Sequence, residues 1–276
     1  MRRLPSLWLA ALLSVALGCS RDERALTEHA GAPPGVREDE LVVYAASSLR
    51  DAFTALGETF ERTHPGVELS FDFAGTQELR TQLEHGASAD VFASADQEHM
   101  RELVGAGRAS APLVFARNEP VIVVSRERAA GIRTLAELPR ASRIVVGASE
   151  VPIGRYTLQI LDRAAPSLGA DFRARVEAHV VSRELNVRQV LMKVSLGEAE
   201  AGIVYRTDAN AARGAVSVVS IPVDVNVLAE YPIAVVAGAA HPGLARDWIA
   251  LVLSGDGQRA LERAGFLLPI AAGEAP

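Results

Sequence analysis

From Leu41 onward, short apolar runs alternate with longer stretches in which apolar positions recur every three or four residues. The run "LVVYAA" (41–46) predicts a buried strand, and "LRDAFTALGETFER" (49–62) a helix with Phe53, Leu56 and Phe60 on one face. The alternation continues with a strand in "VELSFDFA", a helix in "TQELRTQLEHG" that stops at Gly86, a strand in "DVFAS" and a helix in "DQEHMRELVGAG". "EPVIVVS" and "RIVVGAS" read as strands, and "VPIGRYTLQILDRAA" as a helix opened by Pro152, where a missing N–H costs nothing. After a strand in "EAHVVS", the stripe Val187, Val190, Leu191 and Val194 marks the next helix. "AGIVY" is a strand, "TDANAARG" a short helix, and "VSVVSIP" and "YPIAVVAG" are strands; "PGLARDWIALVLS" and "GDGQRALERAGF" close the chain as helices. Alternation of this kind predicts an α/β fold, with mostly parallel sheet flanked by helices on both faces. Sheets of that kind bind ligands at the carboxyl ends of strands, beside helix N-termini.

The pattern is absent before Leu41. "MRR", the short apolar run "LWLAALLSVAL" and "GCS" read as a secretory signal, too short to span a bilayer comfortably. "ALGCS" resembles the bacterial lipoprotein processing site, which would make Cys19 a lipid attachment point; Ala16 stands where that site more often has Leu. The alternative is an ordinary cleaved signal with an incidental cysteine. Residues 20–40, polar and broken by Pro33-Pro34-Gly35, read as a flexible tether. The chain thus divides into 1–19, a signal peptide; 20–40, a tether; and a globular part from Leu41.

Composition narrows the chemistry. Hydrophobic residues make up 49% of 276 residues, and the net charge of -6 comes with no basic stripe, which speaks against nucleic acid as a partner. Cys19 is the sole cysteine. Disulfides, cysteine-ligated zinc and a cysteine nucleophile are therefore excluded from the globular part. The six histidines lack metal-ligand spacing and no G-x-S-x-G occurs, so the residues point away from an enzyme.

The candidate chemistry lies at strand-to-helix junctions. "AASSLRD" places Ser47 and Ser48 at the first, with Ser48 as N-cap and Asp51 three residues on, as in a weak capping box. Gly75 and Thr76 open the second helix, Pro152 and Ile153 the fourth, Asn186 and Val187 another, and Tyr205 ends a strand. Each helix start carries unpaired N–H donors and about half a positive charge. Converging, they would hold an anion without a cationic side chain. Taken singly, Ser48 and Thr76 read equally as caps, and Ile153, Val187 and Tyr205 as packing.

The strings "VYAASSLRDAF", "ADVFASADQEHM", "VPIGRY", "NVRQVLMKVSLGEAEAGIVYRTDA" and "YPIAVV" resemble, in order and spacing, the periplasmic molybdate-binding proteins of ABC importers, from Leu41 to about Pro269. The resemblance implies a two-lobed type II periplasmic binding protein with the ligand in the interlobe cleft: residues 41–118 plus 230–276 in one lobe, 119–229 in the other. It implies a tetrahedral oxyanion, molybdate and with it tungstate, held by the hydroxyls of Ser48, Thr76 and Tyr205 and the backbone N–H groups of Ile153 and Val187. Ser47 and Gly75 are additional candidate donors. The metal arrives as its oxyanion, with no direct protein ligand and no cofactor. The implied partner is an inner-membrane ABC permease served by an extracytoplasmic, periplasmic monomer, membrane-attached if Cys19 is lipidated. Arg155 stands where relatives carry an apolar residue and is expected to face solvent.

The physics agrees with such a site. A desolvated dianion needs its lone pairs filled. Roughly six donors at about 1.5–3 kcal/mol each, less the costs of ordering, leave room for submicromolar binding. A shell of donors alone rejects a protonated oxyanion such as phosphate. Sulfate is separable only by size. Thr76→Ala is expected to lose affinity with little loss of stability. The rival readings are a binding protein for another oxyanion or solute, with dedicated tungstate or sulfate binding the nearest, and an enzyme on the same fold.

Overall fold

The computed structural model describes residues 40–127 and 131–269. The segments read as signal and tether, with Cys19, lie outside the described residues, except Glu40, which begins the first strand. The first lobe opens with β1 (Glu40–Ala46), α1 (Arg50–Thr63), β2 (Glu68–Ala74), α2 (Thr76–Glu84), β3 (Val91–Ala93), α3 (Gln97–Gly105) and β4 (Leu113–Asn118). The second holds β5 (Pro120–Ser125), β6 (Ile144–Gly147), α4 (Pro152–Leu168), α5 (Phe172–Glu177), β7 (Val180–Glu184), α6 (Val187–Ser195), β8 (Ala201–Tyr205), α7 (Arg206–Ala211) and β9 (Val216–Ser220). The chain then returns with β10 (Ala229–Val235), α8 (Pro242–Leu253) and α9 (Gly255–Ala264).

Two five-stranded sheets result, ordered β2-β1-β3-β10-β4 and β7-β6-β8-β5-β9. In each, four strands run one way and a single strand is reversed: β10, antiparallel to β3 and β4, and β5, antiparallel to β8 and β9. The reversed strands are the two that enter from the other sheet. Each crosses over and runs back against its new neighbours, so the crossings sit side by side at one edge of the cleft.

The apolar pattern explains most of this. All six residues of β5 are buried, as a strand covered on both faces requires. Phe53 and Phe60 of α1, on the stripe the sequence shows, meet the buried Trp248 of α8 edge-on at 5.2 and 5.6 Å, and Phe71 of β2 joins at 5.6 Å. Two elements depart from the expectation. "LVFARN", to which the sequence reading assigns no element, is β4, an edge strand with Leu113 half-exposed. The strand anticipated from Glu177 starts only at Val180, because Phe172 and Val176, four residues apart and both buried, coil the preceding segment into α5.

The carboxyl ends of β1, β2, β6 and β8 open toward the same place. There the chain turns from strand to helix at the junctions that the sequence singles out.

Candidate functional site

The first junction is not a side-chain cap. Ser47–Leu49 form a 3₁₀ turn between β1 and α1, and the caps at Ala46 and Leu49 make no side-chain hydrogen bond. This corrects the reading of Ser48 as an N-cap. The tight turn rotates Ser48 away from the amides of α1, and its Oγ lies 2.9 Å from the buried Tyr231 hydroxyl instead. At the second junction Thr76 opens α2 and is buried; its Oγ1 accepts a hydrogen bond from Ala95 N–H at 3.1 Å. That leaves the Thr76 proton for a further acceptor. Gly75, by contrast, spends its N–H on the Glu78 carboxylate at 2.9 Å, so it is not the extra donor suggested for it. A Cβ there would come within 2.3 Å of the Leu185 carbonyl oxygen of the other lobe: Gly75 permits close approach.

The second lobe contributes differently. Pro152 and Ile153 begin α4, whose N-cap Val151 offers no side-chain acceptor. The Ile153 N–H therefore belongs to the orphan donors of a helix start. A Cβ on Gly154 would lie 1.9 Å from the Ala148 carbonyl oxygen, so only glycine lets α4 begin so close to the end of β6. Val187 begins α6; its cap Asn186 takes the Gln189 N–H at 3.1 Å and leaves that of Val187 unclaimed by the cap. Tyr205 ends β8 almost fully buried, and its hydroxyl has no hydrogen-bond partner among the described residues. Burial pushes its pKa up, so the phenol stays a donor.

Ser47, Ser48, Gly75, Thr76, Ile153, Val187 and Tyr205 all line one small cavity, with Ala46, Ala74, Ala95, Val151, Pro152 and Asn186. Its volume is about 10 Å³. No carboxylate and no cationic side chain is among the lining residues. Hydroxyls and three helix starts face the same space: an arrangement that stabilises negative charge by donors and dipoles alone. Among the described residues no cluster of three or more His, Cys, Asp or Glu could hold a metal ion.

Charge gathers just outside the cavity. Arg155, two residues after Ile153, is not turned to solvent as expected. Its Nη2 pairs with Asp96 and its Nη1 lies 2.6 Å from Glu98 Oε1, both across the cleft at the start of α3. The buried Asp96 carboxylate needs a counter-charge, and the guanidinium supplies it. Burial raises the Asp96 pKa, but hydrogen bonding to His99 and the charges of His99 and Arg155 outweigh this and hold it below its ordinary value. On the other flank Arg188, next to Val187, reaches Asp51 of α1 at 2.5 Å and stands 2.8 Å from the fully buried Asp208. Burial pushes the Asp208 pKa up to about 6 despite that neighbour. Gln77 of α2 adds a bond to the Leu185 carbonyl at 2.7 Å. The sequence does not single out Arg188, Asp208 or Tyr231: each acts on a residue remote along the chain, and no local spacing marks it.

The model of the family described as bacterial extracellular solute-binding protein matches residues 41–267. A curated relative from Mycobacterium tuberculosis (strain ATCC 25618 / H37Rv), named molybdate-binding protein ModA, is 39% identical over 94% of this chain and 95% of its own length. Among solved structures, the periplasmic molybdate-binding protein of Azotobacter vinelandii superposes with a TM-score of 0.72 at 18% identity, covering 83% of this chain and 99% of that one. The sulfate-binding protein SubI of M. tuberculosis gives 0.75 at 21%, covering 84% and 88%. At such identities the two structures establish the two-lobed type II periplasmic binding fold and nothing finer. With that fold, a family model matched along nearly all of the globular part and a full-length relative at 39% identity, the chain belongs to the bacterial extracellular solute-binding proteins.

Proposed function

We propose that this protein captures molybdate, and tungstate with it, as a bare tetrahedral dianion and delivers it to an ABC permease. The observation that carries the reading is the cavity wall: hydroxyls from one lobe, helix starts and a buried, unpartnered Tyr205 hydroxyl from the other, and no acidic or basic side chain. Ser48, Thr76 and Tyr205 donate through side chains, and Ile153 and Val187 through backbone N–H, with Ser47 as an additional donor. The relatives named for molybdate binding support the choice of ion. Both lobes supply donors, so only the closed form completes the shell, and the ligand favours closure by that difference. The protein binds without chemistry and without a cofactor; the metal makes no direct bond to a side chain.

The domain works outside the cytoplasm as a monomer, with residues 41–118 and 230–276 as one lobe and 119–229 as the other. Its tether is fixed to a membrane through lipid on Cys19; Cys19→Ala is expected to release it into the soluble fraction, and release of the unmutated protein would contradict the anchor.

Calorimetry with four anions tests the reading. Molybdate and tungstate are expected to bind one to one with submicromolar affinity, sulfate much more weakly and phosphate not at all. Tight sulfate binding with none of molybdate would assign the site to the smaller ion. No heat with any anion would overturn the oxyanion reading.

A further inference from the structure

We infer that Tyr231 and Asn118 are positioning residues that fix Ser48 as a hydrogen-bond donor toward the cavity, and so help to restrict the site to fully deprotonated anions. The inference rests on the oxyanion reading above.

Ser48 Oγ and Tyr231 Oη lie 2.9 Å apart, and distance alone allows either to donate. A third residue decides. Asn118 Nδ2 is 2.9 Å from Thr207 Oγ1 and 3.5 Å from Tyr231 Oη, while Asn118 Oδ1 accepts the Glu119 N–H at 3.0 Å. The Glu119 amide requires an acceptor, so it turns Oδ1 toward itself and the amide NH₂ toward Thr207 and Tyr231. An NH₂ group donates and has no lone pair to offer. The Tyr231 oxygen therefore accepts from Asn118, and its single proton points at Ser48. Ser48 accepts that proton's bond and has its own proton left for the cavity. The opposite order would aim the Tyr231 proton at a nitrogen unable to accept it, an unsatisfied donor in a site closed to water. Asn118 and Tyr231 are 0% exposed, Ser48 2% and Thr207 4%. The Tyr231 ring is held edge-on by Phe266, Tyr205 and Phe115 at 5.3, 5.8 and 6.3 Å, so the hydroxyl cannot swing elsewhere.

Thr76 repeats the device with a backbone donor, the Ala95 N–H at 3.1 Å. Both first-lobe hydroxyls thus have an accepting position filled by the protein, and each presents a proton inward. An anion that carries its own proton, as hydrogen phosphate does, meets a donated proton at each of these two hydroxyls, whose accepting capacity is already partly taken.

The test is a double-mutant cycle for molybdate binding by calorimetry, on purified wild type, Ser48→Ala, Tyr231→Phe and the double variant. Ser48→Ala is expected to weaken binding about 10- to 100-fold and Tyr231→Phe about 3- to 30-fold, with the double variant no weaker than Ser48→Ala alone. In Tyr231→Phe the Ser48 oxygen is free to accept, so affinity for phosphate relative to molybdate should rise; in Ser48→Ala/Tyr231→Phe that gain should vanish. Losses that multiply, or an unchanged ratio, would overturn the inference while leaving the oxyanion reading intact. Absence of molybdate binding by the wild type would overturn both. Should Tyr231→Phe lack a cooperative melt, Asn118→Ala replaces it in the same cycle with the same expectation.

Discussion

The two walls of the cavity do the same work with different groups. The first-lobe wall presents side-chain hydroxyls, Ser48 and Thr76, each hydrogen-bonded to a further group behind it. The second-lobe wall presents backbone N–H groups under apolar side chains, Ile153 and Val187, and only Tyr205 adds a hydroxyl. A hydroxyl can donate or accept, so it needs a neighbour to set its direction. A helix-start N–H can only donate, and its direction is set by the helix. The first wall therefore depends on residue identity, and the second on backbone placement, secured by Gly154 and the Asn186 cap. Substitutions should separate the two.

The largest effect is expected from Ile153→Glu. It keeps the backbone but brings a like charge to an enclosed anion, and binding should fall by more than about 10³-fold. Retained binding would mean the N-terminus of α4 is not part of the shell. Next comes Thr76→Ala, with an expected loss of about 10- to 100-fold. Here the structure changes the expectation that stability would be spared. The Ala95 N–H loses its acceptor, so the ligand-free protein should also lose about 1–3 kcal/mol by denaturant unfolding. Thr76→Ser keeps the oxygen and should restore both. Val187→Ala sits at the other extreme: the N–H remains, and calorimetry should find affinity within about threefold of wild type, while a drop comparable to Thr76→Ala would show that the side chain matters.

A separate effect concerns pH, where the pKa shifts of the carboxylates behind the two walls have opposite signs. Asp96 has a lowered pKa, so its contribution to stability is present at neutral pH and is lost as pH falls through that lowered value. Asp208, raised from 3.8 to about 6, holds its proton more tightly when folded; its contribution is full below 3.8 and is lost as pH rises through about 6. Relative to Asp208→Asn, the wild type should therefore lose about 1–3 kcal/mol between pH 4 and 7 in denaturant melts. A flat difference would contradict the assigned shift.

The same contrast explains what the sequence discloses. Strands and helices with strong apolar periods, such as α1 and α6, are legible, because their faces are set locally. The edge strand β4 is not, since its partner β10 lies more than a hundred residues away. Hydroxyls at strand ends are visible as candidates, yet Ser48 looks like a cap until the 3₁₀ turn is seen. The amides of Ile153 and Val187 leave no side-chain signature: the helix starts mark them as candidates, but read singly they are packing, and only the resemblance to a known family gives them a role. Arg155 reads as solvent-facing because its partners, Asp96 and Glu98, belong to the opposite lobe. Tyr231 lies inside the quoted string "YPIAVV" without a role, and it acquires one only when Ser48, 183 positions earlier, is beside it.

The most direct test is a crystal structure with molybdate bound. The account predicts one anion in the cavity, its oxygens about 2.7–3.2 Å from Ser48 Oγ, Thr76 Oγ1, Tyr205 Oη and the Ile153 and Val187 nitrogens, with Arg155 and Arg188 still on their carboxylates. An anion held by either guanidinium, or contacting only one wall, would contradict it.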